Sequence, residues 1–320
     1  MGIHLLNAYI KKTVTSESIT KISLSDLAYK VIVIDISIYL YRFLAEGELI
    51  ENIYFMISLF RYYNIIPIVV FDGKSPPEKQ QLLDKRNNDK KNAEFKYNEL
   101  QELLLVCNDK TTKNEIKINL QNLKRKFIRL KKSDILIVQQ LLTAYGIQYF
   151  EAEGEADILC AKLVIKRYAY ACLSEDMDLF VYGCPRILRY FSLINQTVVI
   201  YYLDQILKEL NLTFNEFKEI CVLSGTDYEY TKKYPINIKQ SFLYFKQYKD
   251  YCLTNPQKLL DFYDWVKNTY NCIDNIYKLY NICNMFRTDN ITIPRFIQNK
   301  KLINTSEIKK ILEPRGFIFV

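Results

Sequence analysis

Seven carboxylates crowd the stretch Phe150 to Asp178, FEAEGEADILCAKLVIKRYAYACLSEDMD. Glu151, Glu153, Glu155 and Asp157 precede an apolar segment, and Glu175, Asp176 and Asp178 follow it. Acidic clusters at both ends of a buried segment repel one another unless solvent or cations intervene. A pair of divalent cations is the economical explanation. Three more acids stand at the ends of elements: Asp35 closes KVIVID, Asp72 closes IIPIVVFD, and Asp227 lies in the turn LSGTDY. Asp35, Asp72, Glu155, Asp157, Asp176, Asp178 and Asp227 are therefore the candidate metal ligands. Hard oxygen ligands without His or thiolate select Mg²⁺ or Mn²⁺. Two such ions about 4 Å apart can activate a water, hold a scissile phosphate and stabilise the departing oxygen. Phosphodiester hydrolysis is the reaction such a set serves.

Those acids need a scaffold. Lys30 to Asp35 and Ile65 to Asp72 read as buried strands, with helices at Ser37 to Leu44 and Glu51 to Asn64 between them. GKSPP breaks the chain after the second strand, and Pro67 places the start of that strand near a sheet edge. Strand, helix and strand with terminal acids is an α/β signature, and the site of such a sheet lies beyond the carboxyl ends of its strands. A lone terminal Asp is also a common helix cap. Ile147 to Phe150 reads as a strand, Gly154 opens a helix reaching Arg167, and Tyr168 to Leu173 reads as another strand. Extended backbone at SEDMD would point Asp176 and Asp178 one way and bury Met177. Arg186 to Phe191 and Thr197 to Tyr202 form a hairpin pattern, followed by helices at Leu203 to Leu210 and Thr213 to Leu223.

Between strand regions, Glu78 to Lys132 changes character to two Lys-rich and Glu-rich helices broken near Cys107 to Asn114. Its densest basic run, LKRKFIRLKK, offers Lys124 and Arg125 to phosphates, unless the pair is a solvated hairpin with no ligand. Ser133 is placed to cap a helix from Asp134 to Tyr145, which Gly146 ends. Beyond Tyr228 the chain is helical and Tyr-rich to about Phe286, and Arg287 to Val320 has weak periodicity.

Composition narrows the chemistry. The chain has 320 residues, a net charge of +8 and a single histidine, His4. That makes a His-centred triad or His-ligated zinc improbable. The eight cysteines show no CxxC pairing and read as reduced thiols of an intracellular protein. No signal peptide or membrane-spanning run is expected. A basic protein with a concentrated acidic pocket suits a polyanionic substrate.

Six segments in order resemble the flap endonuclease family of structure-specific 5′ nucleases, the group that includes XPG. They are MGI at Met1, VIDISIYLYRF at Val33, VFDGKSPPEK at Val70, EGEADILCA at Glu153, SEDMDLFVYG at Ser174 and LSGTDY at Leu223. The likeness extends to the shortened flap-endonuclease-like proteins of large DNA viruses. The resemblance implies an α/β fold with a mainly parallel central sheet flanked by helices, a PIN-like 5′ nuclease core. It implies a core at 1–230 with a helical arch at 78–132, and a helix-rich region at 231–320. It implies two Mg²⁺ or Mn²⁺ ions, one held by Asp35, Asp72, Glu155 and Asp157, the other by Asp176, Asp178 and Asp227. Lys79 and Arg86 match arch-base residues that contact the scissile phosphate. Tyr41 matches an aromatic on which a base stacks, with core packing as the competing reading. Gly2 matches a position near the DNA junction. The expected partner is branched or 5′-ended DNA, and the expected location is cytoplasm or nucleus, or a cytoplasmic virus factory for a viral protein.

Two departures stand out. YPINIKQSFLYF, Tyr234 to Phe245, lacks the glycines of the family's helix–hairpin–helix, so duplex binding there is either rebuilt through Lys232, Lys233 and Lys239 or weakened. EPRGFIFV at the C-terminal end lacks the Gln-containing clamp-binding motif. The implied activity is structure-specific DNA cleavage in replication, repair or recombination. The alternatives are a Holliday-junction resolvase or ribonuclease on the same core, and a nucleic-acid-binding scaffold without catalysis.

Overall fold

A computed structural model describes residues 2–107, 109–228, 236–257, 260–296 and 302–319. In chain order the elements begin with α1 (Leu6–Thr13), β1 (Ile19–Ser23), β2 (Val31–Asp35), α2 (Ser37–Glu46), α3 (Leu49–Tyr62) and β3 (Ile66–Phe71). The middle holds α4 (Gln80–Val106), α5 (Lys110–Lys126), α6 (Lys132–Ala144), β4 (Gln148–Glu151), α7 (Ala156–Ile165), β5 (Ala171–Leu173) and α8 (Asp178–Val181). Then come β6 (Arg186–Ser192), β7 (Thr197–Tyr202), α9 (Leu203–Glu209), α10 (Phe214–Ser224), α11 (Ile238–Thr254), α12 (Phe262–Tyr270), α13 (Ile276–Met285) and α14 (Thr305–Leu312).

Seven strands form one mixed sheet in the order β1-β7-β6-β5-β2-β3-β4. The inner strands β6, β5, β2 and β3 run parallel, while β7 is antiparallel to both β6 and β1. Ile32, Val33 and Ile34 of β2 and Ala171, Cys172 and Leu173 of β5 are buried, so these short runs show no alternation. Pro67 does not mark an edge: β3 lies one strand in, with Pro67 opposite Ile32. Its missing N–H is tolerated at the second residue of the strand.

The chain divides into two compact units. One comprises 1–35, 60–79 and 150–295. In it α7 packs on β2, β3 and β5, and α10 packs on α8, α11 and α13. The other comprises 36–59, 80–149 and 296–320. There α4 and α5 run antiparallel: Tyr97 meets Phe127 at 5.3 Å between ring centroids, and Arg129 pairs with Glu94 at 2.7 Å. This is the helical pair expected at 78–132, and α14 packs on α6 within the same unit. The start of α6 differs from expectation. Ser133 is inside the helix, and the Asp134 carboxylate instead accepts the Lys131 N–H at 2.9 Å. An ionised carboxylate bonds an orphan amide more strongly than a hydroxyl does, so it takes the capping role.

Candidate active site

Sheet register delivers the acids. Ile34 lies opposite Leu173, so Asp35 and Ser174 leave neighbouring parallel strands together. Ser174 Oγ donates to Asp35 Oδ2 at 2.9 Å, and both residues are buried. On the other side of β2, Asp35 lies opposite Val70, so Asp72 emerges just beyond it. Asp72 is exposed, and its Oδ1 accepts the Ala156 N–H at 2.8 Å at the start of α7. The capping role weighed for it is therefore real, and it ties the end of β3 to the helix carrying Asp157. Gly73 makes this join possible. Its N–H donates to the Gly154 carbonyl at 2.7 Å, and a side chain there would overlap the Ala152 carbonyl.

Glu155 is the N-cap residue of α7, one step outside the expected first turn, and Asp157 lies within that turn. Asp178 opens the short helix α8, and its N–H donates to Asp176 Oδ1 at 3.0 Å. Met177 is buried as expected. Asp157, Asp176 and Asp178 are 6%, 8% and 0% exposed, so three carboxylates sit almost out of water. Burial pushes their pKa values up, and their negative neighbours push them further. Both Asp178 carboxylate oxygens are buried without a hydrogen-bond partner among the described residues.

Lys79, at the end of a 3₁₀ turn, is buried in the same cluster. Its Nζ lies 2.8 Å from Glu155 Oε1 and 3.9 Å from Asp178 Oδ2. Burial alone would lower the ammonium pKa, but Asp178, Glu155 and Asp157 overcome it and hold the group charged. Gly2 is close to Asp176 and Asp178. It adopts φ +70°, and any side chain would overlap the carboxylates of Asp176 and Asp178. Asp227 is half-buried in the turn after α10, and its charge reaches Asp176 and Asp178. Among the described residues, no three His, Cys or acidic side chains converge as a set of metal ligands. Charge interactions link Glu155, Asp157, Asp176, Asp178 and Asp227 with Lys79.

Arg86, Lys124 and Arg125 are exposed on α4 and α5 of the second unit. Tyr41 belongs to that unit too. It is 44% exposed and carries Lys90 over its ring at 5.1 Å, so it is not core. Lys239 is exposed in the first turn of α11. Lys232 and Lys233 fall outside the described residues.

Sequence reasoning missed several groups. Glu175, not among the candidate ligands, pairs with buried Arg189 at 3.3 Å and accepts the Tyr190 N–H at 2.5 Å. Arg189 also donates to the Glu175 carbonyl and to Met177 Sδ, which pins the loop bearing Asp176 and Asp178. Tyr182 and Tyr228 also reach the cluster. The only available signal was that Tyr228 follows Asp227, which is weak in a chain with 26 tyrosines.

Fold and site together define an α/β nuclease, with acids at the carboxyl ends of parallel strands. The XPG N-terminal domain matches residues 1–93 and the XPG I-region matches 146–227. The chain belongs to this family of XPG and flap endonucleases, and it is a phosphodiesterase. It is 30% identical to flap endonuclease 1 of Enterocytozoon bieneusi over 281 residues, covering 82% of this chain and 74% of that protein. It is 24% identical to the probable RAD2-like endonuclease 076L of Invertebrate iridescent virus 3, covering 78% and 80% of the two chains. The catalytic core of Rad2 in complex with DNA substrate has a similar fold, with a TM-score of 0.68 at 21% identity over 98% of this chain and 94% of that one. Among the described residues, no helix is long and apolar enough to cross a membrane.

Proposed function

We propose that the protein is a metal-dependent endonuclease and 5′ exonuclease that recognises DNA shape and cuts at 5′ flaps or junctions. The observation that carries the reading is the burial of Asp157, Asp176 and Asp178 around Lys79. Such a cluster of like charges is costly, and the unpartnered oxygens of Asp178 favour added cations. An all-oxygen donor set suits Mg²⁺ or Mn²⁺. Asp35, Asp72, Glu155 and Asp157 would hold one ion, and Asp176, Asp178 and Asp227 a second. Bound there, the ions supply Lewis-acid polarisation of the phosphodiester and lower the pKa of an attacking water.

This chain's own groups do the rest. Lys79, kept charged by its acidic neighbours, donates to a phosphate oxygen and stabilises charge developing in the transition state. Arg86 serves the same phosphate as a second cation. Tyr41 stacks on a base, and Lys124 and Arg125 hold the strand through its backbone. Gly2 lets the N-terminal backbone approach the acids, where a DNA junction would meet it. Lys239, with Lys232 and Lys233, supports duplex binding in place of the family's glycine hairpin. On this reading, 1–230 is the nuclease core and 231–320 the duplex-binding region. The site of action is the cytoplasm, the nucleus or a virus factory.

The test is cleavage of end-labelled 5′-flap, nicked, blunt, four-way-junction and RNA substrates, with Mg²⁺ and with EDTA. Cutting of 5′-flap DNA that EDTA abolishes is expected. Preference for the four-way junction or for RNA would replace the flap assignment. No Mg²⁺-dependent cleavage of any substrate would reject the enzyme.

A further inference from the structure

Glu155 is held by two donors, one on each oxygen. Lys79 Nζ lies 2.8 Å from Oε1, and Tyr228 Oη donates to Oε2 at 3.1 Å. An ionised carboxylate only accepts, so the hydroxyl proton of Tyr228 is committed to Glu155. Tyr182 Oη lies 2.6 Å from Tyr228 Oη. With the Tyr228 proton already committed, Tyr182 must donate and Tyr228 must accept. The chain therefore has a direction, from Tyr182 to Tyr228 to Glu155. Each bond in such a chain polarises the next.

The same Tyr228 ring also seats the Lys79 ammonium, with Nζ 4.7 Å from the ring centroid. Both rings lean on Phe286, at 4.9 Å for Tyr182 and 5.2 Å for Tyr228, which fixes their planes. Tyr182 and Tyr228 are only 3% and 2% exposed. Phenylalanine would fill the same space without burying a hydroxyl, so the hydroxyls matter through the bonds they make. A carboxylate offers about four lone-pair positions, so two donors leave room on Glu155 for a cation.

We propose that Tyr228 is a positioning residue of the nuclease site. Its hydroxyl orients Glu155 and its ring seats Lys79, while Tyr182 fixes the direction of the Tyr228 hydroxyl. The proposal rests on the roles given to Glu155 and Lys79 under Proposed function. Tyr228 itself is given no contact with the substrate.

The experiment compares wild type with Tyr228→Phe, Tyr182→Phe and the double variant. Mn²⁺ affinity is measured by calorimetry without DNA, and kcat and KM are measured on a 5′-flap substrate. Tyr228→Phe keeps the ring and should keep the KM for DNA. It should weaken Mn²⁺ affinity and lower kcat, each about tenfold, as expected for losing a hydrogen bond to a charged group. Tyr182→Phe should lower both about threefold, because it acts through a polarised neighbour. The double variant should match Tyr228→Phe, since among the described residues the hydrogen bond of Tyr182 towards the site runs through Tyr228. Wild-type Mn²⁺ affinity and kcat in Tyr228→Phe would overturn the proposal, and additive losses in the double variant would overturn the relay. If Tyr228→Phe fails to fold, the threefold losses in Tyr182→Phe decide the matter, and their absence rejects it. A wild type that binds Mn²⁺ but cuts no substrate would reject the nuclease reading, while the affinities still judge Tyr228. A wild type that binds no Mn²⁺ would overturn both.

Discussion

The acid cluster and the basic helical pair handle charge in opposite ways. In the cluster, Asp157, Asp176, Asp178 and Lys79 are each less than a tenth exposed, so every charge is defined by its neighbours. On α4 and α5 the charges are mostly solvated, and the only buried side chains are Ala93, Ile116 and Leu120. Arg86, Lys124 and Arg125 stand in water. Water screens exposed charges and weakens their pairwise terms, whereas buried charges interact strongly and depend on exact placement. On the proposed function, the contrast separates chemistry from capture. A buried, coupled cluster can tune a reacting phosphate. A solvated basic surface attracts a polyanion without needing fixed geometry.

That contrast can be attacked from either side. Asp176→Ala should remove cleavage by about 10³-fold or more, because it takes an acid from the coupled cluster. Single-turnover rates at saturating DNA give the answer, and survival of activity would move the chemistry elsewhere. Lys79→Met should lower kcat by about 10²-fold with KM nearly unchanged, as expected for a group that acts in the transition state. A pure KM effect would make Lys79 a capture residue. Lys124→Ala with Arg125→Ala should do the reverse, raising KM several-fold and leaving kcat intact. Each lost phosphate contact should also flatten the salt dependence of log affinity by about 0.7 to 0.9. An unchanged salt slope would remove these residues from the interface.

The smallest effect tests burial away from both regions. Burial in α10, with Asp261 and Glu216 nearby, pushes the Glu219 carboxyl up from 4.5 to about 7. The folded protein therefore keeps a proton that the unfolded chain releases above pH 4.5. Stability from this group is greatest below pH 4.5, falls as pH rises towards 7, and is fully lost above that. Glu219→Gln should raise the melting temperature slightly at pH 8 and flatten its fall between pH 5 and 7, as read by calorimetry. No difference at pH 8 would remove the buried-charge account of that residue.

How much could be read from sequence depended on distance along the chain. Asp35 and Asp72 were legible because each closes a buried apolar run, and register then sets their spacing. Asp176 and Asp178 were legible because they follow another such run. Lys79 was legible only as a family position, since nothing in PPEKQQ signals that its lysine is buried. Arg189 and Tyr228 were not legible, because they reach the cluster through strand pairing and helix packing. The short strand β1 pairs only with β7, so its partner lies far along the chain and its own pattern is thin. Helix α14, by contrast, buries only Ile308 and Leu312, two anchors too few to reveal a period.

On the proposed function, buried acids are kept at a cost to stability because the chemistry needs them. Asp178→Asn tests this most directly, measured as thermal midpoint in EDTA beside cleavage of a 5′-flap substrate in Mg²⁺. At Asp178, burial and the repulsion of Asp176 outweigh the attraction of Lys79, so removing its charge should raise the midpoint by a few degrees while abolishing cleavage. A lowered midpoint, or cleavage at the wild-type rate, would contradict it.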